Sequence, residues 1–160
     1  MYNVLAIMRG TTVDGPGFRT SLYLAGCDHR CPGCHNPSSW DRNAGTPMTI
    51  DEIIDIVREE DFDVTLSGGD PLLNPESTAR LVAALKGDGR NVWIFTGFRW
   101  EDIVEVPSLL AAVKEADVVV DGPFIEALKD PDLLFRGSSN QRLIDVAQTL
   151  ENNRIVLYGH

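Results

Sequence analysis

The stretch SLYLAGCDHRCPGC, residues 21–34, joins the end of a predicted strand to three closely spaced cysteines. The loose alternation of apolar and polar residues over 18–25 indicates a strand, so Cys27, Cys31 and Cys34 lie on the loop that follows it. They are the three cysteines of a 160-residue chain, and an odd number within one short loop argues against a disulfide framework. Such a cluster favours metal binding or redox chemistry.

The spacing Cys-x3-Cys-x2-Cys leaves two kinds of metal site open. Three thiolates on one loop can hold three corners of a 4Fe–4S cluster and leave the fourth iron available to a small chelating ligand. The alternative is a structural zinc site, completed by His29 or His35, in a non-enzymatic interaction module. Zinc sites usually pair two C-x2-C knuckles, and here Cys31 and Cys34 form one without a second. The pattern therefore favours iron–sulfur.

Predicted strands and helices alternate along the chain. The predicted strands cover residues 4–8, 18–25, 63–67, 91–96, 117–121 and 154–158. The predicted helices begin at a Thr49/Glu52 capping box and at Asn74-Pro75, and others cover 100–106, 108–116 and about 142–150, with a helical turn near 125–129. This alternation predicts an α/β fold with a mostly parallel sheet, in a single domain over residues 1–160.

Four irregular segments each follow a predicted strand. They are the cysteine loop, Gly68-Gly69-Asp70-Pro71, Thr96-Gly97 and Asp121-Gly122-Pro123. Ligands of parallel sheets bind beyond the carboxyl ends of the strands, so we expect these segments to meet at one rim. Taken alone, the Gly-Gly-Asp-Pro segment is a common turn at the end of a strand.

Two further loops have no assigned chemistry at this stage. The segment 14–17, Asp-Gly-Pro-Gly, is read first as a turn and second as a contact at the rim. The polar segment 136–140 has no evident turn requirement, and we expect it to bind a partner or to cover the site. Trp93 alternates along a predicted strand and is expected in the core.

The composition excludes several classes of partner. The net charge of −10 disfavours generic nucleic-acid binding, because phosphate backbones repel an acidic chain. No apolar run approaches the ~18–20 residues that span a bilayer, and no signal peptide is visible. We therefore expect a cytoplasmic protein with neither nucleic-acid nor membrane partners.

Taken together, these motifs resemble the radical S-adenosylmethionine enzymes. The run GCDHRCPGCHNPSSW, residues 26–40, is similar to the glycyl-radical-enzyme activases and, more narrowly, to the anaerobic ribonucleoside-triphosphate reductase-activating family. The other segments that fit are 14–17, 67–72, 96–98, 121–124 and 136–141. Gly33 stands where most of the superfamily has an aromatic residue, and Cys-Pro-Gly-Cys is typical of reductase activases rather than pyruvate formate-lyase activases.

The resemblance implies a partial, open β/α barrel and a set of site residues. Cys27, Cys31 and Cys34 would hold the 4Fe–4S cluster, and S-adenosylmethionine would chelate its open iron. The residues implied to line that cofactor are Gly33, Cys34, His35, Gly68, Gly69 and Asp70. His35 would lie near the adenine, the two glycines would let backbone approach the methionine amino group, and Asp70 would orient that group. No catalytic residue is expected beyond the cluster and the cofactor.

The resemblance also implies a reaction and its partners. Reductive cleavage of S-adenosylmethionine would yield methionine and a 5′-deoxyadenosyl radical, which would abstract hydrogen from a glycine of the large anaerobic ribonucleotide reductase subunit. A low-potential electron donor would feed the cluster. Two readings keep the chemistry and change the target: activation of another glycyl-radical enzyme of the pyruvate formate-lyase type, or a small-molecule substrate.

Overall fold

The computed structural model describes residues 2–26, 41 and 43–159. Within them, seven strands form one open sheet in the order β3-β1-β2-β4-β5-β6-β7. Their bounds are β1 Tyr2–Thr11, β2 Arg19–Leu24, β3 Thr46–Met48, β4 Asp63–Gly68, β5 Val92–Phe95, β6 Val118–Asp121 and β7 Arg142–Asp145. Strands β2, β4, β5 and β6 are parallel neighbours, and β1 and β7 run the opposite way. The α/β fold with a mostly parallel sheet is confirmed.

The helices follow their sequence signals closely. Their bounds are α1 Ile50–Glu60, α2 Pro75–Gly87, α3 Trp100–Ile103, α4 Pro107–Val113 and α5 Val146–Asn152, with short 3-10 turns at Pro71–Leu73 and Glu126–Leu128. The predicted capping box starts α1: the Glu52 amide donates to Thr49 Oγ1 at 3.1 Å, and the Thr49 amide donates to Glu52 Oε1 at 3.4 Å. Pro75 occupies the first turn of α2, where its missing N–H costs nothing.

The two faces of the sheet differ in chemistry because side chains alternate along each strand. One face is apolar and packs against the helices, and its strand residues are Leu22, Leu24, Val64, Leu66, Val92, Ile94, Val119 and Ile144. The other face, which we call the polar face, carries Arg19, Ser21, Tyr23, Thr65, Ser67, Trp93 and Phe95 along β2, β4 and β5. The helices therefore leave the polar face to be covered by loops.

An aromatic cluster closes the amino-terminal end of the polar face. Trp93 is fully buried, as its alternation predicts, and both Phe135 and Tyr158 meet its ring edge-on, at centroid distances of 5.4 and 5.1 Å. The guanidinium carbon of Arg19 lies 5.6 Å from the Trp93 ring centroid, which adds a cation–π contact. This end of the polar face is thereby filled by side chains.

Two predictions for the carboxyl-terminal part are wrong in their boundaries. The helix predicted over 142–150 is split: Arg142–Asp145 is strand β7, and α5 begins at Val146 after the Asp145 carboxylate caps it. The strand predicted over 154–158 is reduced to an isolated bridge between Leu157 and Ile144. Both errors arise because pairing with β6 and β7, which no local pattern encodes, decides these segments. The three-residue edge strand β3 was also missed, since it lies inside a predicted loop.

An ion cluster explains why residue 142 is in a strand. Strand β6 ends at Asp121, whose carboxylate is 1% exposed and accepts hydrogen bonds from the Trp100 amide at 2.9 Å and from Arg142 Nε at 3.1 Å. The Arg142 guanidinium also donates to Glu101 at 2.7 Å. Arg142 thus joins the end of β6 to the start of α3, and the sheet extends by one antiparallel strand.

The stability that this cluster contributes should be lost in acid. The hydrogen bond from Arg142 lowers the pKa of Glu101 to about 2 from its usual value of 4.5. A lowered carboxylate pKa gives stability that is present above the unfolded-state value and is lost as the pH falls toward the folded-state value. We expect the gap in urea midpoint between wild type and Glu101→Gln to shrink as the pH drops from about 5 to about 2. Glu105→Gln, at an exposed glutamate just beyond α3, is the control, and a gap that does not vary with pH would contradict the ion-pair account.

Candidate functional site

The cysteine loop lies outside the described residues. This covers Cys27, Cys31 and Cys34, together with Gly33 and His35, so their predicted roles stay predictions. The description of the amino-terminal part ends at residue 26, which immediately precedes the first cysteine, and Gly68, Gly69 and Asp70 lie within the described residues. The site can therefore be built from the strand ends that surround the loop.

Gly68 and Gly69 have different structural reasons for lacking a side chain. Gly68 has a φ of +94°, and a Cβ built on it would lie 2.3 Å from the Leu24 backbone nitrogen, so both its conformation and the approach of β2 require glycine. Gly69 is not in the left-handed region. Its amide donates to the Leu24 carbonyl at 2.7 Å, and the Asp70 amide donates to the Gly26 carbonyl at 2.7 Å. The backbone after β4 is thus bonded to the residues that lead into the cysteine loop.

The Asp70 carboxylate holds the end of β5. It is 3% exposed and accepts from the Thr96 hydroxyl at 2.9 Å, the Gly97 amide at 2.9 Å and the Leu72 amide at 2.9 Å. The Thr96 hydroxyl in turn accepts from the Phe98 amide at 3.1 Å. The segments 68–71 and 96–97, which the sequence placed at one rim, are therefore in direct contact.

Hydrogen bonds continue from β5 to β6. The Thr96 amide donates to the Val120 carbonyl at 3.0 Å, and the Gly122 amide donates to the Phe98 carbonyl at 2.9 Å. The three described rim segments that the sequence singled out are joined, and they meet the start of the fourth, the cysteine loop, at Gly26. The predicted convergence at the carboxyl ends of the strands is confirmed for the described part of the chain.

The polar segment 136–141 braces the rim from the far side. Gln141 Nε2 donates to the Gly122 carbonyl at 3.0 Å, and Asn140 Nδ2 donates to the Pro123 carbonyl at 2.8 Å. Gln141 Oε1 accepts from the amides of Gly137 and Ser138 at 2.9 and 3.2 Å. The segment satisfies the backbone of the 122–123 turn, a role that the sequence analysis missed. The available sequence signal was the pair of side-chain amides at Asn140 and Gln141, which can donate to the carbonyls of a Gly-Pro turn.

The segment 14–17 is bound across the polar face. The Tyr23 hydroxyl donates to the Asp14 carboxylate, and the Thr65 hydroxyl donates to the Asp14 carbonyl at 2.8 Å. Burial, with the Asp14 contact second, raises the pKa of Tyr23 well above its usual value, so this phenol stays protonated. Gly15 has a φ of +144°, and a Cβ there would lie 2.7 Å from the Arg19 side chain. Asp14–Gly17 is a pinned turn, as first read.

The side chain of Arg19 stabilises the fold. Its side chain is buried, with Nε donating to the Thr65 hydroxyl at 2.9 Å and a terminal nitrogen donating to the carbonyls of Val64 and Asn91 at 2.8 and 3.0 Å. Another terminal nitrogen donates to the Pro16 carbonyl at 3.3 Å. With these donors engaged inside the protein, the guanidinium fastens the amino-terminal ends of β2, β4 and β5.

A cavity of about 460 Å³ lies beside this rim. Its described lining is formed by Tyr2, Asn3, Leu24, Ala25, Pro47, Asp70, Pro71, Leu73 and Asn74. Over the same described ranges, no group of three His, Cys, Asp or Glu residues could hold a metal ion, and no helix is long and apolar enough to cross a membrane.

Comparison with known proteins assigns the family. A model described as a 4Fe-4S single cluster domain matches residues 13–144. The anaerobic ribonucleoside-triphosphate reductase-activating protein of Escherichia coli K12 is 39% identical over 139 residues, which are 81% of this chain and 89% of the relative. The chain belongs to the anaerobic ribonucleoside-triphosphate reductase-activating family. Two further members agree with this assignment. The phage T4 protein is 36% identical and the alignment covers 82% of this chain and 86% of the relative. The Haemophilus influenzae protein is 34% identical, with coverages of 87% and 95%.

A solved structure supports the fold. QueE from Escherichia coli superposes with a TM-score of 0.52 at 15% identity, covering 75% of this chain and 70% of that one, so the two chains share a fold. The matching family model gives the chain a 4Fe–4S cluster as its cofactor, and the relatives are named as activating proteins. The iron–sulfur interpretation is confirmed against the zinc alternative. The described residues fit a cofactor beside the cysteine loop, because the backbone amides of Gly69 and Asp70 are bonded to Leu24 and Gly26, which lead into the cysteines.

Gly68→Ala should destabilise the protein before any cofactor binds. A left-handed φ costs a non-glycine residue about 1–2 kcal/mol, and the clash with the Leu24 backbone adds to it. We expect the free energy of unfolding of cluster-free protein to fall by roughly 2 kcal/mol or more in urea titrations. Gly87→Ala is the matched control: Gly87 ends α2, its Cβ would meet nothing within 4 Å, and alanine favours the helix. A Gly68→Ala protein as stable as wild type would contradict the described β2–β4 approach.

Proposed function

We propose that this protein activates an anaerobic ribonucleoside-triphosphate reductase by generating a glycyl radical on the large subunit of that enzyme. One observation carries the proposal: in a chain of this family, the Gly68-Gly69-Asp70 backbone is bonded to the residues that lead directly into the Cys-x3-Cys-x2-Cys loop. The resemblance puts the cluster on that loop and the amino acid end of S-adenosylmethionine against those glycines. Both parts of the proposed site thus share one rim of a single domain, residues 1–160.

The proposed ligands follow the motif residue by residue. Cys27, Cys31 and Cys34 hold the cluster, and Gly33, Cys34 and His35 line S-adenosylmethionine on the loop side. When bound, the cluster and S-adenosylmethionine supply the radical chemistry that removes hydrogen from a glycine of the partner. The protein's own residues supply position and shape.

The strand ends position the cofactor in this proposal. Gly69 does not need glycine for its φ, so its missing side chain is best explained by close approach of a ligand. The positive φ of Gly68 determines the course of the turn after β4, and the Gly68 backbone lies close to the backbone at the end of β2. A methionine ammonium at this place would meet main chain rather than side chains.

The polar face suggests how a partner enters. Trp93, Phe135 and Tyr158 fill its amino-terminal end, whereas Tyr23, Ser67 and Phe95 near the carboxyl ends of their strands are only half-buried. A partner segment would therefore reach the rim from the carboxyl side. A protein substrate agrees with this arrangement, because an extended segment can lie along the half-buried side chains at this end of the face.

The remaining partners are inferred from chemistry. The cluster needs a low-potential electron donor, and the acidic chain suits neither nucleic acid nor an anionic membrane surface. We place the protein in the cytoplasm, where the proposed reductase partner works. Activation of a pyruvate formate-lyase type enzyme is the second candidate target, and Cys-Pro-Gly-Cys argues for the reductase.

The direct experiment is an activation assay. Cluster-loaded protein, S-adenosylmethionine, a chemical reductant and the candidate reductase are mixed without oxygen, and the glycyl radical is followed by electron paramagnetic resonance. We expect a radical on the reductase and none on a pyruvate formate-lyase in a parallel sample. A radical on the lyase alone would overturn the proposed target, and no cleavage of S-adenosylmethionine would overturn the proposed reaction.

Each cysteine should be needed for the cluster. Replacing Cys27, Cys31 or Cys34 by Ala removes one thiolate ligand, so we expect iron per protein and the visible absorption of the cluster to be lost. Circular dichroism should retain the α/β signature, since the described core does not depend on these residues. A stable, active cluster in Cys31→Ala would contradict the ligand assignment.

Gly69→Val should separate cofactor approach from turn formation. If backbone at Gly69 contacts S-adenosylmethionine, valine should weaken cofactor binding about tenfold or more while the cluster still assembles. The measurement is a titration of S-adenosylmethionine into folded, cluster-loaded variant, with Gly68→Ala in parallel as the variant limited by turn strain. Unchanged affinity per folded Gly69→Val molecule would leave Gly69 without a binding role.

A further inference from the structure

Asp70 is the residue through which the cofactor rim is held together. The residue is 3% exposed, and each of its carboxylate oxygens accepts from a different backbone amide. Oδ1 accepts from the Leu72 amide at 2.9 Å, Oδ2 accepts from the Gly97 amide at 2.9 Å, and the Thr96 hydroxyl lies 2.9 and 3.0 Å from the two oxygens. Hydrogen bonds to an ionised carboxylate are roughly twice as strong as neutral ones.

The backbone of the same residue contacts a different strand end. The Asp70 amide donates to the Gly26 carbonyl at 2.7 Å, next to the first cysteine, and the neighbouring Gly69 amide donates to the Leu24 carbonyl at 2.7 Å. One residue therefore connects the end of β2, the turn after β4 and the end of β5. A shift of the Thr96-Gly97 turn would be passed directly to the backbone that precedes the cysteine loop.

We propose that Asp70 is a positioning residue, which acts on S-adenosylmethionine through Thr96 and Gly97 by fixing the end of β5 against the cofactor rim. The proposal rests on the cofactor placement of the proposed function. It replaces the role that the resemblance implied, in which Asp70 itself orients the methionine amino group. The two roles differ in what a loss of the Thr96 hydroxyl should do.

Two substitutions divide the roles cleanly. Asp70→Asn leaves one oxygen for the two backbone amides that the carboxylate accepts from, so an NH2 group faces either the Leu72 or the Gly97 amide and the charged link to β5 is lost. Thr96→Val removes the hydroxyl with little change of volume and leaves the Asp70 charge in place. If Asp70 acts through β5, both changes damage the same link.

The test is a double-mutant cycle on cofactor affinity. S-adenosylmethionine is titrated into folded, cluster-loaded wild type, Asp70→Asn, Thr96→Val and the double variant. We expect each single change to weaken binding about tenfold, and the double variant to be no more than about tenfold weaker than wild type, because the link is already broken. Thr96→Ser keeps the hydroxyl and should restore most of the affinity that valine loses.

Thr149→Val is the matched control for lost stability. The Thr149 hydroxyl is also buried, donates to the Val156 carbonyl at 3.3 Å and accepts from the Val156 amide at 2.9 Å. It lies in α5, which follows the end of β7 that pairs with the amino end of β6, opposite the rim. We expect this variant to unfold at lower urea and to bind S-adenosylmethionine like wild type per folded molecule.

A second readout needs no cofactor. In cluster-free Asp70→Asn, hydrogen exchange at the Gly97 or the Leu72 amide should be about tenfold faster or more than in wild type, because one of these two amides loses its acceptor. Exchange rates equal to those of wild type would overturn the hydrogen-bonded link between Asp70 and these amides. Wild type that fails to bind S-adenosylmethionine would overturn the proposed function while the exchange result still stands.

The cycle has two outcomes that overturn the positioning role. If Thr96→Val binds like wild type while Asp70→Asn is weakened, the carboxylate acts on the cofactor directly. If the two losses multiply in the double variant, Asp70 and Thr96 contribute independently. A double variant no weaker than its singles supports the proposal.

Discussion

The rim of this protein depends on a buried carboxylate. Asp70 accepts hydrogen bonds from the turn that follows β5, and its own amide is bonded to the segment before the cysteines. A buried carboxylate with unmet hydrogen bonds is costly, so the loops around it have one low-energy arrangement. The ends of β2, β4 and β5 thereby become one surface, on which the proposed positions of cluster and S-adenosylmethionine are defined relative to each other.

The sheet provides this rim with two unlike faces. The apolar face is packed by helices and supplies most of the hydrophobic core, which keeps the parallel strands in register. The polar face is organised instead by hydrogen bonds of buried side chains, with Arg19 and Thr65 holding the segment 14–17 over it. Buried polar side chains on that face require hydrogen-bond partners, and the segment 14–17 supplies them. These hydrogen bonds explain why the segment has a fixed position although no helix packs on this face.

Several segments that look functional in the sequence serve the fold, at least in part. Asp14–Gly17 is pinned by Tyr23 and Thr65, and the segment 136–141 braces the turn at 122–123. These roles do not compete with function. They hold the backbone at the rim in place. The segments that are proposed to contact the cofactor are therefore supported by neighbouring segments with a structural role.

The sequence by itself determined the α/β class, the start of α1 at its capping box and the strand ends that meet at the rim. It also carried the resemblance to the family, through the run 26–40 and the other matching segments together. Those features are local, because periodicity, capping and motif spacing are written in neighbouring residues. The tertiary structure alone decided that residues 142–145 form a strand, since pairing with β6 and the Asp121–Arg142 ion pair hold them there. It also decided that Asp70 reaches Thr96 and Gly97, because that contact joins residues 26 and 27 positions apart and depends on how β4 and β5 are placed side by side.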